Sequence, residues 1–151
     1  MADDKLFVSV FGSQRVGEYD ARTGAAIDAN FITGLGGPAG LAVQGPTPFF
    51  PEGLLFVANF GGGTVGQYNA TTGEAVNANF IKGLNLPLSK PNFITGLHRP
   101  SAIALLGNIL FVADARPDKV GEYDSITGDA IKADFISEPA RPTAIAVRSP
   151  K

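Results

Sequence analysis

The 151-residue sequence contains no cysteine. The protein therefore cannot form a disulfide bond, use a thiol as a nucleophile or bind a metal ion through thiolates. Because a cysteine-free protein tolerates either redox environment, this absence leaves the cellular compartment open. Histidine is scarce too, since His98 is the only one. A structural or incidental role is the simpler interpretation of a single histidine, because metal sites usually combine several ligands.

Long apolar runs are also missing. No stretch approaches the roughly 20 apolar residues of a membrane-spanning helix. The first residues, Met-Ala-Asp-Asp-Lys, are acidic and are not followed by the apolar core of a signal peptide. We therefore expect a soluble protein that acts in the cytoplasm, or a secreted one if a leader has been removed, and no membrane partner.

Charge is low as well. Charged residues make up 17% of the chain and the net charge is −2, so nucleic-acid binding has no bulk electrostatic support. Hydrophobic residues make up 44%, which is typical of an ordered globular protein. The 19 glycines and 11 prolines require many turns. Without a collagen period or a low-complexity tract, this composition predicts an all-β fold.

The sequence contains three copies of one repeat. Each copy begins with Leu-Phe-Val, and ten residues after its Leu comes Val-Gly-(Glu/Gln)-Tyr-(Asp/Asn). Thr-Gly and Phe-Ile follow at constant spacing, and a phrase such as Pro-Ala-Gly-Leu-Ala-Val closes the copy. The phrases start at Leu6, Leu55 and Leu110, at Val16, Val65 and Val120, at Thr23, Thr72 and Thr127, at Phe31, Phe80 and Phe135, and at Pro38, Pro100 and Pro142. We place the repeats at about 6–54, 55–109 and 110–151, within a single domain 1–151.

Each copy contains four apolar runs that are too short for helices, and these predict four β-strands. Runs such as Leu-Phe-Val are apolar on both faces, which a sheet stacked between two other sheets requires. The blades of a β-propeller are stacked in this way. The closing phrase carries a small residue at equivalent places, Ala42, Ala104 and Ala146, and this favours the innermost strand, where blades converge.

The phrase Asp-x-x-Thr-Gly predicts a hairpin turn. Asp20, Asn69 and Asp124 can accept hydrogen bonds from backbone amides two residues further on, and the glycine can adopt a positive φ. A calcium-binding loop is the alternative interpretation, but the other ligands of such a loop are missing from the sequence.

These phrases resemble a known family. Pro-Ala-Gly-Leu-Ala-Val at 38–43 and Leu-Phe-Val-Ala-Asn-Phe-Gly-Gly-Gly-Thr-Val at 55–65 are similar to NHL-type propeller repeats, and they overlap the related repeats named for a Tyr-Val-Thr-Asn motif. The resemblance covers nearly the whole chain and implies a propeller of six blades. It implies little about function, since such propellers include scaffolds, glycan and protein binders, lyases and lactonases. This chain departs from the family by having three copies.

The order of the strands predicts a partner. If the strands of a blade are labelled a to d from axis to rim, the chain reads b-c-d-a three times. The first blade then lacks strand a, and the last strand a, at 143–147, lacks a blade. We expect a homodimer that closes a six-bladed ring by strand exchange. The expected interface residues are Leu6, Phe7, Val8, Thr143, Ala144, Ile145, Ala146 and Val147. A fragment of a longer protein, or an engineered half-propeller, would show the same pattern.

One face of the expected ring is rich in basic residues. It is formed by the loops between strands b and c and between strands d and a, and an insertion at 84–97 lies on it. The candidates for binding an anionic ligand or partner are Arg15, His98, Arg99, Arg116, Lys119 and Arg141. We therefore predict a non-enzymatic binding or scaffold module with no cofactor. The alternative is a lactonase-like hydrolase or lyase with a divalent metal in the channel, held by residues such as Asn59 and Asp114.

Overall fold

A computed structural model of the protein describes residues 4–82, 97–116, 118–137 and 140–150. Most of the insertion at 84–97 therefore lies outside the described residues. All regular elements in the described part are β-strands, and no helix there could cross a membrane. The strands are β1 (Lys5–Val10), β2 (Arg15–Asp20), β3 (Ala26–Ile32), β4 (Pro38–Gln44), β5 (Leu54–Asn59), β6 (Thr64–Asn69), β7 (Ala75–Lys82), β8 (Pro100–Leu106), β9 (Ile109–Asp114), β10 (Lys119–Asp124) and β11 (Ala130–Ser137).

The strands form three antiparallel sheets in which neighbours along the chain pair with each other. Sheet 1 has the order β1-β2-β3, sheet 2 has β4-β5-β6-β7, and sheet 3 has β8-β9-β10-β11. The predicted all-β class is therefore confirmed. Sheet 1 lacks a strand equivalent to β4 and β8, as the order of the repeated phrases predicts. We call residues equivalent when they occupy the same position in the repeat.

The two apolar faces of the Leu-Phe-Val strands are explained by the stacking of the sheets. All six residues of β5 are buried, because sheet 1 covers one face of sheet 2 and sheet 3 covers the other. Transfer of a large aliphatic or aromatic side chain from water to such a core contributes about 1.5–3 kcal/mol. The stacking of sheets on both faces is therefore what stabilises so many short strands.

Two apolar clusters fill the spaces between the sheets. The cluster between sheets 1 and 2 contains Val16, Ile32, Leu35, Leu55, Val57 and Tyr68, with Phe7, Phe31 and Leu41 at its margin. The cluster between sheets 2 and 3 contains Leu54, Phe56, Ala58, Val65, Ile81, Leu97, Ile103, Leu110, Val112 and Tyr123. Each sheet also holds one aromatic pair at equivalent positions, with ring centroids 5.3 Å apart for Phe7 and Phe31, 5.7 Å for Phe56 and Phe80, and 5.6 Å for Phe111 and Phe135.

Sheets 2 and 3 converge at their first strands, as the small residues of the closing phrase predict. A Cβ atom built on Gly40 in β4 would lie 2.6 Å from the Cα of Ala102 in β8. Real Cβ atoms do not come this close to backbone. The glycine therefore lets two neighbouring sheets converge along β4 and β8.

The predicted hairpin turns are confirmed by three equivalent sets of hydrogen bonds. The Oδ1 of Asp20 accepts from the amides of Arg22 and Thr23 at 2.8 and 2.7 Å, and the Oδ1 atoms of Asn69 and Asp124 make the same pair of bonds at 2.8 and 2.9 Å. These amide donors hold the pKa of Asp20 and of Asp124 below the ordinary value of 3.8. The carboxylates of Asp20 and Asp124 therefore stabilise the hairpin turns in which they lie.

Candidate functional site

An arginine-lined groove lies where the loops of sheets 2 and 3 meet the C-terminal segment. Its volume is about 250 Å³, and its walls are Phe60, Arg99, Ala115, Arg116, Arg141 and Thr143. Three of the six predicted ligand-binding residues are therefore brought together, from three loops that are far apart in the sequence.

Asp114 positions two of the arginines. It ends β9, is fully buried, and accepts hydrogen bonds from the amides of His98 at 2.8 Å, Arg99 at 2.7 Å and Arg116 at 3.3 Å. The loop before β8 is also joined to the loop after β9, because the Ala115 amide donates to the Arg99 carbonyl at 3.0 Å. One buried carboxylate thus places Arg99 and Arg116 on the same rim.

Asp118 positions the third arginine. Its Oδ1 accepts a hydrogen bond from the Arg141 amide at 2.9 Å. Asp118, Ala140 and Arg141 have left-handed backbone, with φ of 61°, 40° and 51°. Non-glycine residues pay a cost in this region, so the hydrogen bond from Asp118 helps to hold Arg141 in a conformation that the chain alone disfavours.

The groove is electropositive. All three arginine side chains are exposed, and the Arg99 guanidinium lies 5.5 Å from the centre of the Phe60 ring, where a cation–π interaction fixes its position. The ion pairs found among the described residues join Lys5 to Glu18 and Lys119 to Asp134, so neither of them neutralises a groove arginine.

The other predicted binding residues lie elsewhere or make other contacts. Arg15 Nη1 donates to Asn30 Oδ1 at 2.8 Å, and the equivalent residue Lys119 is buried, with its Nζ 3.4 Å from Asp134. These two residues pair with the neighbouring outer strand. His98 is exposed and is tied to Asp114 by its backbone amide.

The candidate metal ligands also make structural contacts. Asn59 Nδ2 donates to Thr64 Oγ1 at 3.3 Å, and both carboxylate oxygens of Asp114 accept from main-chain amides. Burial, followed by the charges of Asp114 and Asp134, raises the pKa of Tyr123 to about 12, so this phenol stays neutral in the core. No group of three or more His, Cys, Asp or Glu residues within the described ranges is arranged to hold a metal ion.

The second functional feature is a pair of uncovered sheet faces, and the first of them belongs to sheet 1. Leu6 is 49% and Val8 38% exposed, whereas Leu55, Leu110, Val57 and Val112 at the equivalent positions are fully buried. Phe7 points to the other face of β1 and packs toward sheet 2 beside Phe31. Leu6 and Val8 thus form an open apolar surface, whereas the equivalent residues of sheets 2 and 3 are each covered by the preceding sheet.

The second uncovered face belongs to sheet 3. Ile136 is 46% exposed, whereas the equivalent residues Ile32 and Ile81 are about one-twentieth exposed. The small cluster on this face contains Ala102, Ala113 and Val120, with Phe111 and Ile145 packed against it. Ile145 occupies the position of Leu41 and Ile103, which pack in the two clusters between the sheets.

The hairpin turns show that the open surface of sheet 1 and the open surface of sheet 3 are the two sides of one type of contact. A Cβ built on Gly73 would lie 2.3 Å from the carbonyl oxygen of Phe31, and one built on Gly128 would lie 2.6 Å from that of Phe80. Each turn therefore sits directly on the preceding sheet. Gly24, the equivalent of both glycines, meets no atom within 4 Å, and Phe135, the equivalent of Phe31 and Phe80, is exposed.

The C-terminal segment has no strand partner among the residues that the structure describes. Residues 143–147 form no ladder within the described part of the chain and are mostly exposed. They follow Pro142, whose carbonyl accepts a hydrogen bond from Ser101 Oγ in β8 at 2.6 Å. The segment therefore leaves sheet 3 at the edge where β4 and β8 converge.

The sequence matches no protein-family model and no curated protein. The functional interpretation therefore depends on the chain's own geometry. Sequence reasoning missed Phe60, Asp118 and the pair formed by Gly24 and Phe135. Phe11 and Phe60 are equivalent aromatic residues just after β1 and β5, and this repetition was a signal that could have pointed to the wall of the groove.

Proposed function

We propose that this chain is half of a six-bladed, NHL-type β-propeller that closes with a second copy and acts as a binding module through its arginine-lined groove. The observation that carries the proposal is that sheets 1 and 3 expose the two halves of a contact that occurs twice within the chain. A second copy placed head to tail would make the same contact a third time.

The apolar faces support this arrangement residue by residue. Sheet 2 meets sheet 1 through Leu55, Val57 and Tyr68, whose equivalents on the open face of sheet 1 are Leu6, Val8 and Tyr19. Sheet 2 meets sheet 3 through Phe56, Val65 and Ile81, whose equivalents on the open face of sheet 3 are Phe111, Val120 and Ile136. The second copy's sheet 1 would therefore meet this chain's sheet 3 with the same chemistry as the inner contacts.

The C-terminal segment supports strand exchange. Ile145 packs on sheet 3 as its equivalents Leu41 and Ile103 pack on sheets 1 and 2, which supports a role for 143–147 as the first strand of the next sheet. That sheet would be the three-stranded sheet 1 of the second copy. Two copies then give six four-stranded sheets, within the usual range of about 4 to 8 blades, and both β1 edges are covered.

The groove favours binding over catalysis. Guanidinium groups stay protonated at physiological pH and so cannot act as general bases. Among the described residues, the carboxylates of Asp114 and Asp118 beside the groove accept hydrogen bonds from main-chain amides that order the loops. A site with three cations and an aromatic wall is suited to hold an anion.

The assembly is tested by solution mass. One chain is 15.7 kDa, and light scattering after size exclusion should give twice that mass, 2 × 15.7 = 31.4 kDa, and keep it on dilution. Leu6→Asp should shift the mass to that of one chain, because it places a charge in the proposed interface. Ile27→Asp is the matched control, because Ile27 and its equivalents Val76 and Ile131 are all exposed and lie outside the proposed contact.

Two results would contradict the proposal. One is a compact monomer at every concentration. The other is a dimer that Leu6→Asp leaves intact, since the contact would then use another surface.

A further inference from the structure

We infer that the arginine-lined groove binds a small phosphate monoester, with its phosphoryl group held by Arg99, Arg116 and Arg141. This inference names the ligand class of the binding face proposed above. All three arginines belong to one chain, so it does not depend on ring closure.

The charge at the groove calls for an anion. Three exposed guanidinium groups line a space of about 250 Å³, and neither ion pair of the described chain involves them. The nearby carboxylate of Asp114 is buried beneath the loops, and Oδ1 of Asp118 is bonded to the Arg141 amide. Like charges gathered in this way repel each other, and a bound anion removes that repulsion.

The use of arginine narrows the class of anion that the groove can bind. Guanidinium presents a planar fork of donors that matches the oxygens of phosphate and carboxylate. A phosphate monoester has three terminal oxygens and nearly two negative charges at neutral pH. Three guanidinium groups from three loops can therefore each take one oxygen of a single phosphoryl group, whereas a carboxylate offers two oxygens and one charge.

The arginines of the groove are also preorganised in the unliganded protein. Arg99 is held over Phe60, Asp114 orders the Arg99 and Arg116 backbones, and Asp118 orders that of Arg141. Ordering these groups in advance lowers the entropy cost of binding. Ala115 and Thr143 complete the wall, and the volume of about 250 Å³ suits a small ester group.

The test is isothermal titration calorimetry of the full chain with phenyl phosphate. We expect saturable binding with one site per chain. Arg116→Gln and Arg141→Gln should each weaken binding about tenfold or more, because each variant removes charge-assisted hydrogen bonds to the phosphoryl group. Arg22→Gln is the matched control, since Arg22 is an exposed arginine on a hairpin turn, and it should change the affinity by less than about twofold. Circular dichroism confirms that each variant is folded.

Three outcomes overturn the inference. The first is no saturable binding of phenyl phosphate. The second is binding that the control weakens as much as the groove variants do. The third is binding of succinate as tight as that of phenyl phosphate, which would assign the groove to dicarboxylates. Light scattering on the same samples distinguishes failure of the ligand proposal from failure of the assembly proposal. A dimer that does not bind phenyl phosphate would contradict only the ligand site, and a monomer that binds it would contradict only the six-bladed ring.

Discussion

At the scale of single residues, the Val-Gly-x-Tyr phrase follows from the position of the tyrosine ring. The ring of Tyr68 lies back over Gly66, and a Cβ built on that glycine would be 2.5 Å from Cε2 of the ring. The ring cannot move aside easily, because Tyr68 is buried in the cluster between sheets 1 and 2. The glycine is thus required by packing, and the phrase recurs because each sheet packs its tyrosine in the same way.

Replacement of this glycine should destabilise the protein. Gly66→Ala forces the added methyl group against a buried ring, and overpacking of this kind costs about 1–3 kcal/mol. Urea unfolding followed by circular dichroism measures the loss. Gly45→Ala is the control, because a Cβ at Gly45 meets no atom within 4 Å, and it should leave the free energy of unfolding nearly unchanged. Equal values for the two variants would contradict the packing argument.

Residue chemistry that acts locally could be read from the sequence. The turn role of Asp20, Asn69 and Asp124 was predicted, since their partners are two and three residues away. The role of Asp114 could not be predicted, because two of its three amide partners lie 15 and 16 residues before it along the chain. The end of a repeated strand and the analogy with propeller lactonases offered Asp114 as a metal ligand, whereas the fold makes it an anchor for two loops.

At the scale of elements, the register of the proposed exchanged strand follows from the inner sheets. Val43 pairs with Leu55 in sheet 2, and Leu105 pairs with Leu110 in sheet 3. The equivalent pair across the proposed interface is Val147 with Leu6. Opposite residues on antiparallel strands have Cα atoms about 4.5 or 5.5 Å apart, a separation that a disulfide bond spans.

The register is tested by crosslinking. The unaltered chain has no cysteine, so Leu6→Cys combined with Val147→Cys should oxidise to a covalent dimer, seen on a non-reducing gel. Leu6→Cys combined with Ala146→Cys is the control, because a shift of one residue turns the second side chain to the other face of the sheet. Efficient crosslinking of the control pair, with none for the first pair, would show that the register is wrong.

At the scale of the whole molecule, the described chain leaves apolar surface open on both terminal sheets. Leu6 and Val8 at one end and Phe135 and Ile136 at the other are each more than one-third exposed. If a second copy covers both faces, folding and association are coupled, and the stability of the protein depends on its concentration.

Thermal unfolding should show this dependence. A tenfold increase in concentration adds about 1.4 kcal/mol per mole of dimer, which corresponds to a rise in Tm of roughly 2 °C for an assembly of this size. Differential scanning calorimetry over a hundredfold range of concentration measures it. Leu6→Asp should abolish the dependence, whereas a Tm of the unaltered chain that does not change with concentration would contradict coupled folding and association.

The sequence by itself determined the repeat, the strands, the hairpin turns and the short first sheet. These features depend on residues close together along the chain, whose spacing and conformational preferences act before distant contacts form. The tertiary structure alone decided which arginines share a groove, which acids anchor loops and which apolar faces remain open. Arg99, Arg116 and Arg141 come together because the loops that carry them all flank sheet 3 and are tied to Asp114 or Asp118, whereas Arg15 and Lys119 are drawn to an outer strand. The physical reason is that side-chain proximity between repeats depends on the stacking of the sheets, which no single repeat encodes.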